Sequence, residues 1–164
     1  MNAYDIIKML FNEPERGISQ FVSNKSMLEF KTKIGETPLH YFVIENKIEL
    51  VKKLIQIGAN VNTTEMSGET PLLHSIKLKY YEMALLLLDN GADVDIKNSN
   101  GETVLSEIVL RGDQQIFVKV YNKCKLPIQY YFSNLDAAEI YNNGRGELRQ
   151  LVLKKGLLNP YDQN

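Results

Sequence analysis

Gly35-Glu36-Thr37-Pro38-Leu39, Gly68-Glu69-Thr70-Pro71-Leu72 and Gly101-Glu102-Thr103-Val104-Leu105 follow one another at an interval of 33 residues. A second phrase keeps the same interval: Gly58-Ala59-Asn60-Val61-Asn62 returns as Gly91-Ala92-Asp93-Val94-Asp95. Two unrelated phrases in one register mean a chain of small modules, none able to bury its apolar side alone. Such an array gains its core by placing module against module. It offers an extended surface rather than a pocket.

The module from Gly35 predicts two short helices. Thr37 is a cap and Pro38 sits in the first turn, where its missing N–H is harmless. This helix runs to about Glu45 and breaks at Asn46-Lys47. The second runs from about Ile48 to Ile57, with Leu50, Val51, Leu54 and Ile55 at helical spacing. Gly58 ends it, and the polar stretch Asn60 to Ser67 leads to Gly68. The next module repeats this, with helices from Thr70-Pro71 and from Tyr81 to Leu88, closed by Gly91. The module from Gly101 is looser. Val104 replaces the proline and Cys124 takes the place of the closing glycine, while Ile116, Phe117, Val120 and Tyr121 keep the apolar spacing. Leu39, Leu72 and Leu105 are expected to be buried in every module.

Both ends carry worn copies. Subtracting one period from Leu54, Ile55 and Val61 gives Phe21, Val22 and Leu28, so helices are predicted near Tyr4–Asn12 and Ile18–Asn24 with Pro14 as breaker. Glu147 to Gly156 echoes Glu49 to Gly58, with Ser133 to Asn142 supplying a preceding helix. The expectation is a single domain, 1–164, in units of about 2–34, 35–67, 68–100, 101–133 and 134–164. The outer two would act as caps.

These residues resemble the ankyrin repeat. Gly35-x-Thr37-Pro38-Leu39-His40 matches that family's helix-opening phrase, and Leu54-Ile55-x-x-Gly58-Ala59-Asn60-Val61-Asn62 matches its close. The resemblance implies an all-α solenoid of paired antiparallel helices, with turns projecting as fingers and a concave surface made by fingers and first helices. It also implies a structural hydrogen bond for His40. The chain departs from the family where two alanines usually follow the His position. Here Phe42 and Val43, Ser75 and Ile76, and Ile108 and Val109 stand there, and larger residues should spread the first helices. Leu73 occupies the His position of the second full module, with His74 one place later, which breaks the usual network at that junction.

Bulk composition fits a folded protein: 44% hydrophobic and 24% charged residues. The net charge of −1, from 19 basic and 20 acidic residues, lacks the basic excess of a nucleic-acid binder. Cys124 is the sole cysteine, which excludes an internal disulfide and suits a reduced compartment. Asp5 and Lys8 interrupt the start where a secretory signal would need an apolar run. Met83 to Leu88 is far too short to span a bilayer. The expected location is therefore cytoplasmic, with no membrane or nucleic-acid partner.

No residue set points to catalysis, a cofactor or a metal. His74 reads as a surface or packing residue, and Cys124 as a small apolar residue near a helix end. Gly144-Arg145-Gly146 follows a helical stretch rather than a strand, so it reads as an inter-helix turn and not a phosphate loop. Glu36, Glu69 and Glu102 form a recurring column. At the ~10 Å spacing of packed helices they repel by only about 0.4 kcal/mol per pair in water. The row is thus open to a basic partner, or simply to solvent and the helix dipole. Phe117, Tyr121, Tyr130, Tyr131, Phe132 and Tyr141 make an aromatic cluster, which serves either an interface or the closing of the last core.

The positions matching the family's contact places are Lys33, Ile34, Met66, Ser67, Ser99 and Asn100 on the fingers. On the first-helix ends they are Ile44, Glu45, Lys77, Leu78, Leu110 and Arg111. Ile34, Met66, Leu78 and Leu110 are apolar where water would otherwise be met. The expected function is a non-catalytic module, monomeric when free, that binds one partner protein and inhibits or sequesters it. An immunity protein neutralising a toxin and an effector capturing a host factor both have this form. The alternatives are a scaffold or oligomerisation element, and a small-molecule binder or enzyme built on the aromatic C-terminal region.

Overall fold

The computed structural model describes residues 3–111, 114–126 and 128–131. The helices expected over Ser133–Asn142 and 147–156, Gly144-Arg145-Gly146, and the rings of Phe132 and Tyr141 lie outside them. Every regular element among the described residues is helical. In chain order these are α1 (Ala3–Asn12), α2 (Pro14–Ser23), a 3-10 turn (Lys25–Glu29), α3 (Pro38–Ile44), α4 (Ile48–Gln56), α5 (Pro71–Lys77), α6 (Tyr81–Asp89), α7 (Val104–Arg111), α8 (Gln114–Tyr121) and α9 (Ile128–Tyr131). The chain divides after Asp93 into two compact bodies.

In the first body the helices pack as pairs, α1 on α2, α3 on α4 and α5 on α6. The first helices also pack on each other, α1 on α3 and α3 on α5, and α2 packs on α4. Their shared interior holds Leu10, Phe21, Leu39, Phe42, Leu54, Leu72 and Ile76, all buried. The large residues that replace the family's alanines, Phe42 and Val43, are wholly enclosed, and Ser75 donates its hydroxyl to the Leu72 carbonyl at 2.7 Å. Val22 departs from the apolar expectation: it is exposed, while its period mate Leu88 is buried. Pro14 does more than interrupt, since it occupies the first turn of α2. In the second body α7 pairs with α8 around Leu105, Ile108, Phe117 and Val120.

Helix ends follow one device. Gly58 takes a φ of 105° and donates to the Ile55 carbonyl, and Ala59 donates to Leu54. That is a Schellman closure, which suits a residue free of a Cβ. Gly91 and Ala92 repeat it on Leu88 and Leu87. The first helices close the same way without glycine, through Asn46 at φ 53° and Lys79 at φ 61°. Asn tolerates this left-handed backbone, and Lys does so only under strain. α8 ends differently: Lys123 and Cys124 donate to Val120 and Tyr121, closing tighter turns.

Two stability outcomes follow. Leu72→Ala should lower the unfolding free energy by about 2–5 kcal/mol, as removal of a buried leucine does, measured by urea denaturation. A loss below roughly 1 kcal/mol would show that Leu72 is not a core residue. Lys79→Gly should raise stability by roughly 0.5–1 kcal/mol by relieving the left-handed backbone, read as a higher midpoint in the same titration.

Candidate functional site

Between the helix pairs the chain makes a tight finger turn in every module. Gly35, Gly68 and Gly101 donate to the carbonyls of Thr32, Glu65 and Asn98, and these three residues donate in return to Glu36, Glu69 and Glu102. The side chains of Thr32, Glu65 and Asn98 then hold the turn from within. Thr32 Oγ1 accepts from the Glu36 N–H at 3.1 Å. The Glu65 carboxylate accepts from the Ser67 and Glu69 N–H groups at 2.9 Å. Asn98 Oδ1 accepts from Asn100 at 3.0 Å and Glu102 at 2.9 Å. Chemically different residues do one job because each offers a side-chain oxygen two or four residues before an orphan N–H.

Successive fingers touch in the first body. Met66 N–H donates to the Ile34 carbonyl at 3.0 Å, and Lys31 Nζ to the Thr64 carbonyl at 2.9 Å. Gly35 is required twice over: its φ is +86°, and a Cβ there would lie 2.9 Å from the Met66 nitrogen. This close seam leaves the side chains of Ile34 and Met66 outside, 55% and 74% exposed. Lys33, Ser67 and Glu45 are exposed too, as is Leu78 at the end of α5. Ile44 and Lys77 are half-buried. In the second body Ser99, Asn100 and Arg111 are exposed and Leu110 is half-buried. Arg111 Nε donates to the buried Glu107 carboxylate at 2.6 Å.

The glutamate column is not uniform. Glu69 is largely covered and binds Lys77 Nζ at 2.6 Å and His74 Nδ1 at 3.2 Å. Glu102 accepts from Asn98 Nδ2 at 2.6 Å. Glu36 is half-buried, and burial pushes its carboxyl above the usual range against a smaller opposing pull from His74. Neither a row of open charges nor plain solvation describes all three.

His40 is wholly buried. Thr37 donates to its Nδ1 from both N–H, at 3.3 Å, and hydroxyl, at 3.0 Å, so Nε2 carries the proton and donates to the Glu69 carbonyl at 3.2 Å. One ring thereby caps its own helix and ties it to the next finger. Leu73 has no ring nitrogen to do this, and Thr70 caps α5 by accepting from the Leu73 N–H at 3.1 Å. In α7 Ser106 takes the place of the ring, exchanging hydrogen bonds with Thr103. His74 stands edge-on to His40, and its Nε2 is buried with no hydrogen-bond partner among the described residues.

Tyr131 corrects an expectation. Of the two roles open to the aromatic cluster it takes the core one and not the interface, being 1% exposed. Its hydroxyl donates to Asp95 Oδ1 and accepts from the Leu126 N–H at 3.1 Å. Tyr130 remains half-buried, donates to the Asp95 carbonyl at 2.8 Å, and carries Lys97 Nζ 3.8 Å above its ring. Cys124 points its thiol at the Val120 carbonyl, and burial pushes that thiol up to about 11, which keeps it protonated and unreactive.

Two exposed rings and one half-exposed ring carry no mark in the repeated phrases. Tyr4 is 70% exposed and Phe11 45%, both on α1, and Tyr41 is half-exposed on α3. Subtracting one period from Ile44 reaches Phe11, so the signal was present in the register. The worn first module hid it.

Residues 1–98 match a family model described as ankyrin repeats, in three copies. No curated protein matches the chain. Among the described residues no helix is long and apolar enough to cross a membrane.

His40 makes stability depend on pH. Burial lowers its pKa from 6.5 to about 4, so the unfolded chain binds the proton more readily. The full contribution is present above pH 6.5 and is lost as pH falls toward about 4. The loss should reach about 3 kcal/mol. Denaturation at pH 7 and pH 4.5 should show it, and His40→Gln should flatten the difference.

Proposed function

The chain belongs to the ankyrin-repeat family, and on that footing we propose that it binds one partner protein through the face formed by its finger turns and first helices. Ankyrin repeats generally mediate protein–protein interaction and are typically non-catalytic. The observation that carries the reading to this face is the exposure of Ile34 and Met66 on adjoining, hydrogen-bonded fingers. Apolar side chains of this size on a rigid turn meet water only at a standing cost, and a partner surface relieves it.

The contact set has Lys33, Ile34, Glu36, Ile44, Glu45, Met66, Ser67 and Leu78 in the first body. In the second body, taken by itself, the proposed contacts are Ser99, Asn100, Leu110, Arg111 and Tyr130. Glu69 and Lys77 brace the first body's contacts from within, and Glu102 those of the second, through the pairings already described. The turns are braced by their own side chains, so little conformational entropy is lost on binding. This favours tight occupation of one partner, whose own activity is then blocked or sequestered, in an intracellular setting.

The double variant Ile34→Asp/Met66→Asp should fold normally by circular dichroism yet recover at least ten-fold less partner in affinity capture from the native cell, a change of about 1.4 kcal/mol per decade. Glu82→Gln, an exposed change on α6, should recover as much as the native chain. Equal recovery by the double variant would sink the assignment of this face.

A further inference from the structure

The three glutamates of the column differ in one respect that bears on the partner. Glu69 meets an ammonium from Lys77 and an imidazole from His74. One period earlier those two places hold Ile44 and Tyr41. Glu36 therefore lacks the cation that its period mate carries, and among the described residues none is paired with it. It sits half-covered in a setting that disfavours its charge, with the Glu65 carboxylate adding to the penalty and His74 offsetting part of it. Burial raises the Tyr41 hydroxyl above its ordinary range, and Glu45, Tyr4 and Glu36 raise it further.

We propose that this part of the first body receives a lysine or arginine side chain of a protein partner, its charge on Glu36 and its stem against Tyr41 and Tyr4, while an apolar neighbour in the same segment seats on the Ile34 and Met66 tips. The proposal rests on the partner-binding reading above and gives that partner a chemistry. Charge complementarity carries it. A half-buried carboxylate gains most from an incoming cation when no cation of its own chain is paired with it, because the desolvation is already in place before binding. The rings add a second attraction for the same ligand. The chain itself shows that a cation is accepted along α1, where Lys47 Nζ lies 5.3 Å above the Phe11 ring. The Glu69–Lys77 pair in the next module shows the contact in intramolecular form, at 2.6 Å.

The test is an amide-resolved NMR titration of the full chain with two blocked synthetic peptides, one alternating leucine and arginine, the other with glutamate for arginine. The arginine peptide should move the signals of Ile34, Glu36, Tyr41 and Met66, and the glutamate peptide should leave them in place. Glu36→Gln should weaken the arginine peptide by about five-fold, the size of one partly exposed charged contact. Glu82→Gln should not change it. Glu36→Gln should unfold at the same or a higher temperature than the native chain, which separates lost binding from lost folding. Equal response to both peptides, no response to the arginine peptide, or a Glu36→Gln variant that binds it undiminished would each overturn the proposal. If partner capture fails in Ile34→Asp/Met66→Asp but survives in Glu36→Gln, the face stands and only its cation is wrong. If capture is indifferent to both, the broader reading falls.

Discussion

Everything in the first body depends on helix pairs burying flanks that no single pair can hide. Helices of seven to ten residues are too short to be stable alone. What holds α3 is the contact of Leu39, Phe42 and Val43 with the helices before and after it. The fingers are possible only because that packing fixes their two ends. A four-residue turn closed by a left-handed glycine then needs few bonds of its own to hold one shape. The working surface is thus a by-product of the core, and its rigidity is inherited.

The modules reach this common geometry by different chemistry at the same places. The third residue of the first helix is His40, Leu73 or Ser106, and the cap is completed by a ring nitrogen, by Thr70 alone, or by a serine hydroxyl. The finger brace is a hydroxyl, a carboxylate or an amide. Such variation changes what each module can offer outward. Glu65 and Glu69 are consumed by their own turn and by Lys77, whereas Glu36 is left half-covered and unmatched. A recurrence that looks like three equal charges becomes one open position and two engaged ones.

Helix starts at Pro38 and Pro71 and stops at Gly58 and Gly91 were legible because their chemistry is local: a cap, a fixed φ, a missing Cβ. The burial of Leu39, Leu72 and Leu105 was legible from the interval alone. The finger brace was not, since Thr32, Glu65 and Asn98 share no identity, only an oxygen at a given reach. Exposure was the other blind spot. Composition grouped Tyr130 and Tyr131 as one aromatic patch, but Tyr131 turns its hydroxyl inward to Asp95, while the neglected Tyr4 is exposed. Which way a ring turns depends on a partner distant in sequence, and the period carries no information about that.

The phenol of Tyr131 has a further consequence. In the first body Asn62 spans two modules directly, donating to the Gly91 carbonyl and accepting from Asp93. One period on, the Tyr131 hydroxyl, delivered by α9, joins Asp95 to the Leu126 N–H. This link of the second body is thus supplied by a residue that follows α8 in the chain. As the chain is synthesised, that link can form only once Tyr131 has emerged.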